Sequence, residues 1–261
     1  MTSRFTAALA AEWLKARRSK VPPLTLAAFA APAGIAALFM FIVGDPERAQ
    51  RLGLMGQKAQ LSGLTADWTG LLGFLAQVVA VGGLLVFSFI ATWVFGREFS
   101  DATARYLLAL PVPRSTIVLA KFTLVAGWSL AVAVWLVGLF LGVGWLLQLP
   151  GWSAGVAADG VASALAAALL LLPAIAPVAL VACVGRGYLA PLASALTALV
   201  LAQVAAVLGW GAVVPWSVPA VAAGLAPGSR LGAAGLVVAG LTGVAGVAAT
   251  VAWWRGGDAG L

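Results

Sequence analysis

Histidine is absent from this 261-residue chain, and cysteine occurs once, as Cys183 inside an apolar stretch. The first absence removes the commonest general base and metal ligand. The second rules out a disulfide framework within the chain, and Cys183 reads as a small buried hydrophobe. Charge is scarce as well: 9% of residues are charged, where soluble domains carry about 25%. No Gly-rich phosphate loop ending in Gly-Lys-Ser/Thr occurs, so the chain does not cradle ATP in that way. No group of side chains has metal-ligand spacing. The sequence therefore offers no catalytic, cofactor-binding or metal-binding residue, and any energy for work is expected from a partner.

What the chain has in abundance is apolar length. Hydrophobic residues make up 63% and the mean hydropathy is +1.07. Six long stretches carry no charge: 21–44, 68–96, 122–158, 160–185, 187–229 and 231–254. A bilayer core about 30 Å thick needs roughly 20 apolar helical residues, so each stretch holds one span. A backbone in lipid must satisfy its own hydrogen bonds, which leaves helices or closed barrels. The alternation that marks a membrane barrel is missing. The fold class is thus all-α, a single polytopic transmembrane domain over residues 1–261. Its spans are expected at about 24–43, 71–95, 116–147, 161–184, 189–210 and 231–253. The basic leader and the run 24–43 are too long for a usual secretory signal peptide, so cleavage is not expected.

The net charge of +7 does not point to nucleic acid, because its distribution follows the membrane. With the N-terminus inside, eleven basic residues fall on the inner side: Arg4, Lys15, Arg17, Arg18, Lys20, Arg97, Arg105, Arg114, Lys121, Arg186 and Arg255. The outer side holds Arg48, Arg51, Lys58 and Arg230. This asymmetry places both termini in the cytoplasm of a cell-membrane protein.

Residues 2–20 read as a helix on the membrane surface, with Phe5, Leu9 and Trp13 recurring every four residues on one face. The "VPP" of 21–23 is expected to break it before the first span. Residues 44–70 form the longest polar connection, on the outer side. Trp68 and Trp93 stand at the two ends of the second span, where aromatic belts sit. Gly138 and Gly142 give the third span a small-xxx-small pair suited to close helix approach. Pro173 and Pro177 should kink the fourth, and Gly235, Ala239 and Gly243 share one face of the sixth. Between the fifth and sixth, 211–230 is apolar but broken by Pro215, Pro219 and Pro227. With Trp216, it reads as an outer re-entrant segment.

Inside the expected spans the one ionisable group is Lys121, near the start of the third. Proton-driven carriers keep such groups in the membrane for function, so their scarcity argues against that mechanism. Sodium coupling through carbonyls and hydroxyls stays open. The charges gather instead in "WVFGREFSDATARYLLALPVPRSTIVLAKF", residues 93–122. Between Gly96 and Pro111 the chain can form one short helix, with Arg97, Asp101 and Arg105 on one face. Glu98 and Phe99 stand beside the second span. Pro111 and Pro113 end the helix, and Ser115 is expected to cap the third span. The alternative is an ordinary basic loop that fixes topology.

The stretch from Phe95 to Phe122 resembles the corresponding loop of permease subunits of type-2 ABC exporters, in the bacitracin and lantibiotic-immunity branch. The likeness rests on its Arg-Glu-Phe, the following Asp and Thr, the Leu-Leu-x-Leu-Pro run and the basic residue before "LAK". The leader "EWLKARRS" and the outer "PWSVP" resemble family features as well. The resemblance implies a homodimeric or paired permease served by two separate ABC ATPase subunits, which would hold the ATP and Mg. It also implies that the segment with Arg97, Glu98, Phe99, Asp101 and Arg105 is a coupling helix, and that the N-terminal helix is a connector. The function so implied is export of an amphiphilic substrate (antibiotic, peptide or lipid-like), with membrane lipids as further partners. Trp128 and Trp135 are the aromatics that a path along the third span would present, unless they serve only packing. A stand-alone secondary carrier or channel and a non-transporting immunity protein are the competing readings.

Overall fold

A computed structural model of the chain describes residues 2–45, 47, 51, 65–103, 112–225 and 231–256. Among them there is no strand, and six helical runs are long and apolar enough to cross a membrane. In chain order the helices are α1 (Thr2–Arg17), α2 (Val21–Gly44), α3 (Trp68–Gln77), α4 (Gly83–Ser100), α5 (Arg114–Leu146), α6 (Ala154–Val184), α7 (Leu189–Val207), the short α8 (Val218–Ala222) and α9 (Ala233–Gly256). A π-helical turn, Val78–Gly82, joins α3 to α4 into one span.

Several boundaries differ from the sequence expectation for local reasons. Pro22 and Pro23 do not precede the first span but occupy its first turn, where a missing N–H costs nothing. The break falls one step earlier, at 18–20. The second span runs on to Ser100, so Arg97, Glu98 and Phe99 form its last turn and not the start of a separate helix. Arg105 and the rest of 104–111 lie outside the described residues. Pro113 in extended geometry is the N-cap of α5, without a side-chain cap; Ser115 is already inside the helix. The fourth span begins at Ala154, where the Ser153 hydroxyl accepts from the Val156 N–H at 3.1 Å. Asp159 is therefore a residue of this helix.

The hub of the bundle is α6, which packs against α3, α4, α5, α7, α8 and α9, while α2 leans on α5. The contact of α9 with α6 depends on glycine. A Cβ at Gly243 would stand 2.6 Å from Pro173 Cβ, and one at Gly246 would stand 2.7 Å from the Pro177 nitrogen. Gly235, Ala239, Gly243 and Gly246 are all buried on that face. Gly138 and Gly142 are different: a Cβ there meets nothing, and both face outward. On α5 the close approach is made by Gly144, whose missing Cβ leaves room for the Trp68 ring.

That ring closes the end of the bundle remote from α1. Trp68 is buried, and its centroid lies 5.6 Å from Trp145 and 4.5 Å from Trp152, which are 4.9 Å from each other. The Trp68 N–H also donates to the Pro150 carbonyl at 3.1 Å. The second span is thereby fastened to the α5–α6 turn. Beyond α7 the chain packs back on α6. Trp216 Nε1 donates to the Ala174 carbonyl at 3.0 Å, about 30 Å along α6 from its start. Val218, Pro219 and Val221 are buried against α6 and the π turn.

Candidate functional site

At the opposite end, four charged side chains from three helices meet in the protein interior. Lys121, near the start of α5, is 0% exposed; Glu98 in the last turn of α4 is 2% and Glu12 of α1 is 4%. Lys121 Nζ donates to Glu98 Oε1 at 2.8 Å, to Glu12 Oε2 at 3.0 Å and to the Val94 carbonyl at 3.0 Å. All three ammonium protons are used. Lys15 Nζ donates to Glu12 Oε1 at 2.8 Å and to Glu98 Oε1 at 2.9 Å. The second oxygen of Glu98 accepts from the Thr103 hydroxyl at 2.6 Å.

Two carboxylates and two ammonium groups sum to zero charge. An unpaired ion in this position would cost several kcal/mol; the paired set is tolerated because each ion is hydrogen-bonded. Lys15 sits at the edge of the cluster. Burial pushes its pKa down, but the Glu12 and Glu98 carboxylates outweigh burial and the net direction is upward.

Local geometry sets each partner in place. Beyond Ser100 the chain turns through Ala102 in a left-handed conformation, φ 54°. The Thr103 N–H then reaches the Glu98 carbonyl at 2.9 Å and the Ala102 N–H reaches Phe99 at 3.2 Å. This pair of bonds is the Schellman closure of a helix end, and it returns the Thr103 hydroxyl to Glu98. On α1 the buried line runs through Leu9, Glu12 and Ala16. A step of four residues turns 400°, so Trp13 has drifted about 80° from Phe5, whereas Glu12, seven residues on, is within about 20°. Glu12 therefore points into the fold and Trp13 is half exposed, 6.5 Å from the Trp128 ring.

The same end gathers α9, α6 and α7. The Phe99 ring lies 5.6 Å from Trp253 and 6.3 Å from Trp254. Trp254 Nε1 donates to Cys183 Sγ at 3.2 Å. Arg114 Nη1 donates to the carbonyls of Trp254 and Arg255 at 3.0 and 3.2 Å, satisfying the C-terminus of α9 with a cation. Gly96 meets Gly187 and Tyr188 so closely that a Cβ would be 2.9 Å from the Gly187 carbonyl oxygen.

Of the residues singled out from sequence, Glu98 and Phe99 stand in this node. Arg97 lies at its edge, 4.8 Å over the Trp93 ring and 3.7 Å from Asp101. Leu9 packs on the core and Phe5 is half-buried. Trp128 Nε1 donates to Thr25 Oγ1 at 3.2 Å, and Trp135 faces outward. Neither lines the two larger cavities, of 540 and 570 Å³. Pro215, Trp216 and Pro219 stand in the segment after α7 that packs on α6 near Ala174. Sequence reasoning missed Glu12, although it is the only acid in α1 and stands three residues before Lys15.

Comparison with known proteins bears on the same stretch of chain. The family described as ABC-2 family transporter protein matches residues 8–203, a span that contains Glu12, Lys15, Glu98 and Lys121. The bacitracin transport permease protein of Bacillus licheniformis is 23% identical over 142 residues, covering 54% of this chain and 67% of that protein. No solved structure matches the chain.

Proposed function

The chain belongs to the ABC-2 transporter family, and from that premise we propose that it exports an amphiphilic substrate from the cytoplasm. It is a multi-pass membrane protein and the permease of an ABC transporter, a role that implies ATP-binding partner subunits. In our reading two such subunits bind a pair of permease chains, supply ATP and Mg, and act from the side on which both termini and α1 lie. The charge asymmetry of the loops supports that orientation. The relative of Bacillus licheniformis, a bacitracin transport permease, supports an amphiphilic antibiotic, peptide or lipid-like substrate.

One observation carries the mechanism: the Glu12–Lys15–Glu98–Lys121 cluster. It ties α1, the end of the second span and the start of the third at the place where the charged segment leaves the membrane. In this proposal Arg97, Asp101 and Arg105 meet the ATPase, and Phe99 passes its motion to Trp253 and Trp254. Glu98 passes it to α1 and α5. Rigid, fully paired ions suit such a link, because a displacement of one helix cannot be absorbed without unpairing a buried charge. The segment around Trp216 is an outer re-entrant turn that closes the far side.

The test is efflux from vesicles that hold the chain with its ATPase subunit. Bacitracin and other amphiphilic antibiotics should move only with hydrolysable ATP and continue when proton and sodium gradients are collapsed. Movement by the chain alone down an imposed ion gradient would overturn the proposal.

A further inference from the structure

The second face of α1 points away from the ion cluster. Trp13 is 50% exposed and Leu14 45%; one turn later Arg17 and Arg18 are exposed, as is Lys20 in the corner before α2. Spacing of four residues puts Arg17 beyond Trp13 and Arg18 beyond Leu14 on the helix surface. Each pair thus offers an apolar group followed by a guanidinium. None of the three cations forms an ion pair among the described residues. The acids that might have met them are occupied: Glu12 and Glu98 by lysines, Asp101 by Arg97.

The corner is also placed at a membrane boundary by the chain itself. The first span begins at Val21, directly after Lys20. Its first turn offers little to an anion, since Pro22 and Pro23 have no N–H and Val21 N donates to Ser19 Oγ at 3.3 Å. Recognition of an anion here rests on side chains alone.

We infer that this corner is a binding site for an anionic phospholipid of the leaflet on which α1 lies. Arg17, Arg18 and Lys20 hold the phosphate, and Trp13 and Leu14 lie in the boundary between headgroup and acyl chains. Charge complementarity selects the occupant. Three unpaired cations beside an apolar patch, next to a spanning helix, fit a headgroup with net negative charge. The bound lipid presses α1 against α5 from outside while Glu12 and Lys15 hold it from inside. The inference goes beyond the transporter reading and does not depend on it, since lipid selectivity is measured without ATP or substrate.

The full chain is reconstituted in phosphatidylcholine vesicles containing trace spin-labelled phosphatidylglycerol or phosphatidylcholine. The motionally restricted fraction then gives the relative association of the two lipids. The wild type should prefer phosphatidylglycerol several-fold. Each basic group at an anionic surface contributes at most roughly a fivefold effect and the three share the preference, so Arg17→Gln with Arg18→Gln should remove most of it. The Arg17→Lys, Arg18→Lys variant should retain most of the preference. Arg186→Gln with Arg255→Gln removes the same charge from the same end and should leave the ratio unchanged. No preference in the wild type would overturn the site. So would an equal loss in the Arg186, Arg255 control, which would mean a diffuse field. If the double glutamine variant does not insert, Lys20→Gln alone decides: an unchanged ratio counts against the site, a reduced one supports it.

Discussion

Lys121 Nζ on α5 stands 3.0 Å from Glu12 Oε2 on α1, a pair separated by 109 positions in the chain. It joins the N-terminal helix to the third span inside the protein, where both ions are shielded from solvent. Truncating one member of a buried pair costs about 3–5 kcal/mol. Lys121→Met should therefore lower the thermal midpoint of the detergent-solubilised protein sharply, and Glu12→Gln should lower it less, because Lys121 keeps Glu98. The double variant should cost less than the two singles added together, since the sites share partners. Additive losses would mean that the two groups act independently.

Ala102 holds a left-handed conformation, φ 54°, which costs a residue with a Cβ about 1–2 kcal/mol. Glycine has no such penalty. Ala102→Gly should raise stability by about 1 kcal/mol in the same unfolding measurement. Ala102→Val, a β-branched residue at that φ, should lower it.

Alkaline pH gives a third check. The pKa of Lys15 in the fold is raised above its ordinary value of 10.5. A raised folded value means that the stabilisation is fully present below the unfolded pKa and is lost as pH rises through the folded one. The docking of α1, followed by acrylamide quenching of a variant that keeps Trp13 as its only tryptophan near α1, should stay constant from neutral pH to about 9. It should weaken above about 10.5. Lys15→Met should dock less well at neutral pH and lose that part of the alkaline step.

Glycine contacts predict a steep contrast on α9. Gly246→Val would drive a side chain into the backbone of Ala176 and Pro177 and should separate α9 from α6, costing on the order of 3 kcal/mol or more. Gly240→Ala meets nothing within 4 Å and should be neutral or stabilising by up to about 1 kcal/mol, from helix propensity. Equal effects at both positions would contradict the packing.

The six spans were legible because lipid leaves a helix few options and each uncharged stretch is long enough. What escaped was phase and partnership. The four-residue rhythm of Phe5, Leu9 and Trp13 drew attention to one face of α1 and away from Glu12, which lies on the side that packs into the fold. Glu98 looked free to meet another protein, yet Lys15 and Lys121 reach it from positions 83 and 23 residues away, and no local pattern encodes such a meeting. Trp68 was read as a belt residue. Its partners Trp145 and Trp152 are brought to it only by the α5–α6 turn. Gly138 and Gly142 matched a packing motif, while the close approaches fall on Gly144, Gly243 and Gly246, because the motif specifies spacing and not which face meets a neighbour.

In the proposed mechanism, ATP-driven work reaches the spans through the buried ion cluster. The decisive measurement is the number of molecules exported per ATP hydrolysed, for an amphiphilic compound that the wild type moves, in vesicles holding the chain and its ATPase subunit. Glu98→Gln keeps the shape of the side chain and one acceptor for Thr103 while removing the charge that faces Lys121 and Lys15. This variant should insert, bind the ATPase and hydrolyse ATP, with export per ATP reduced on the order of tenfold, as expected for a lost buried ion pair. Wild-type export per ATP in a correctly assembled Glu98→Gln protein would contradict it.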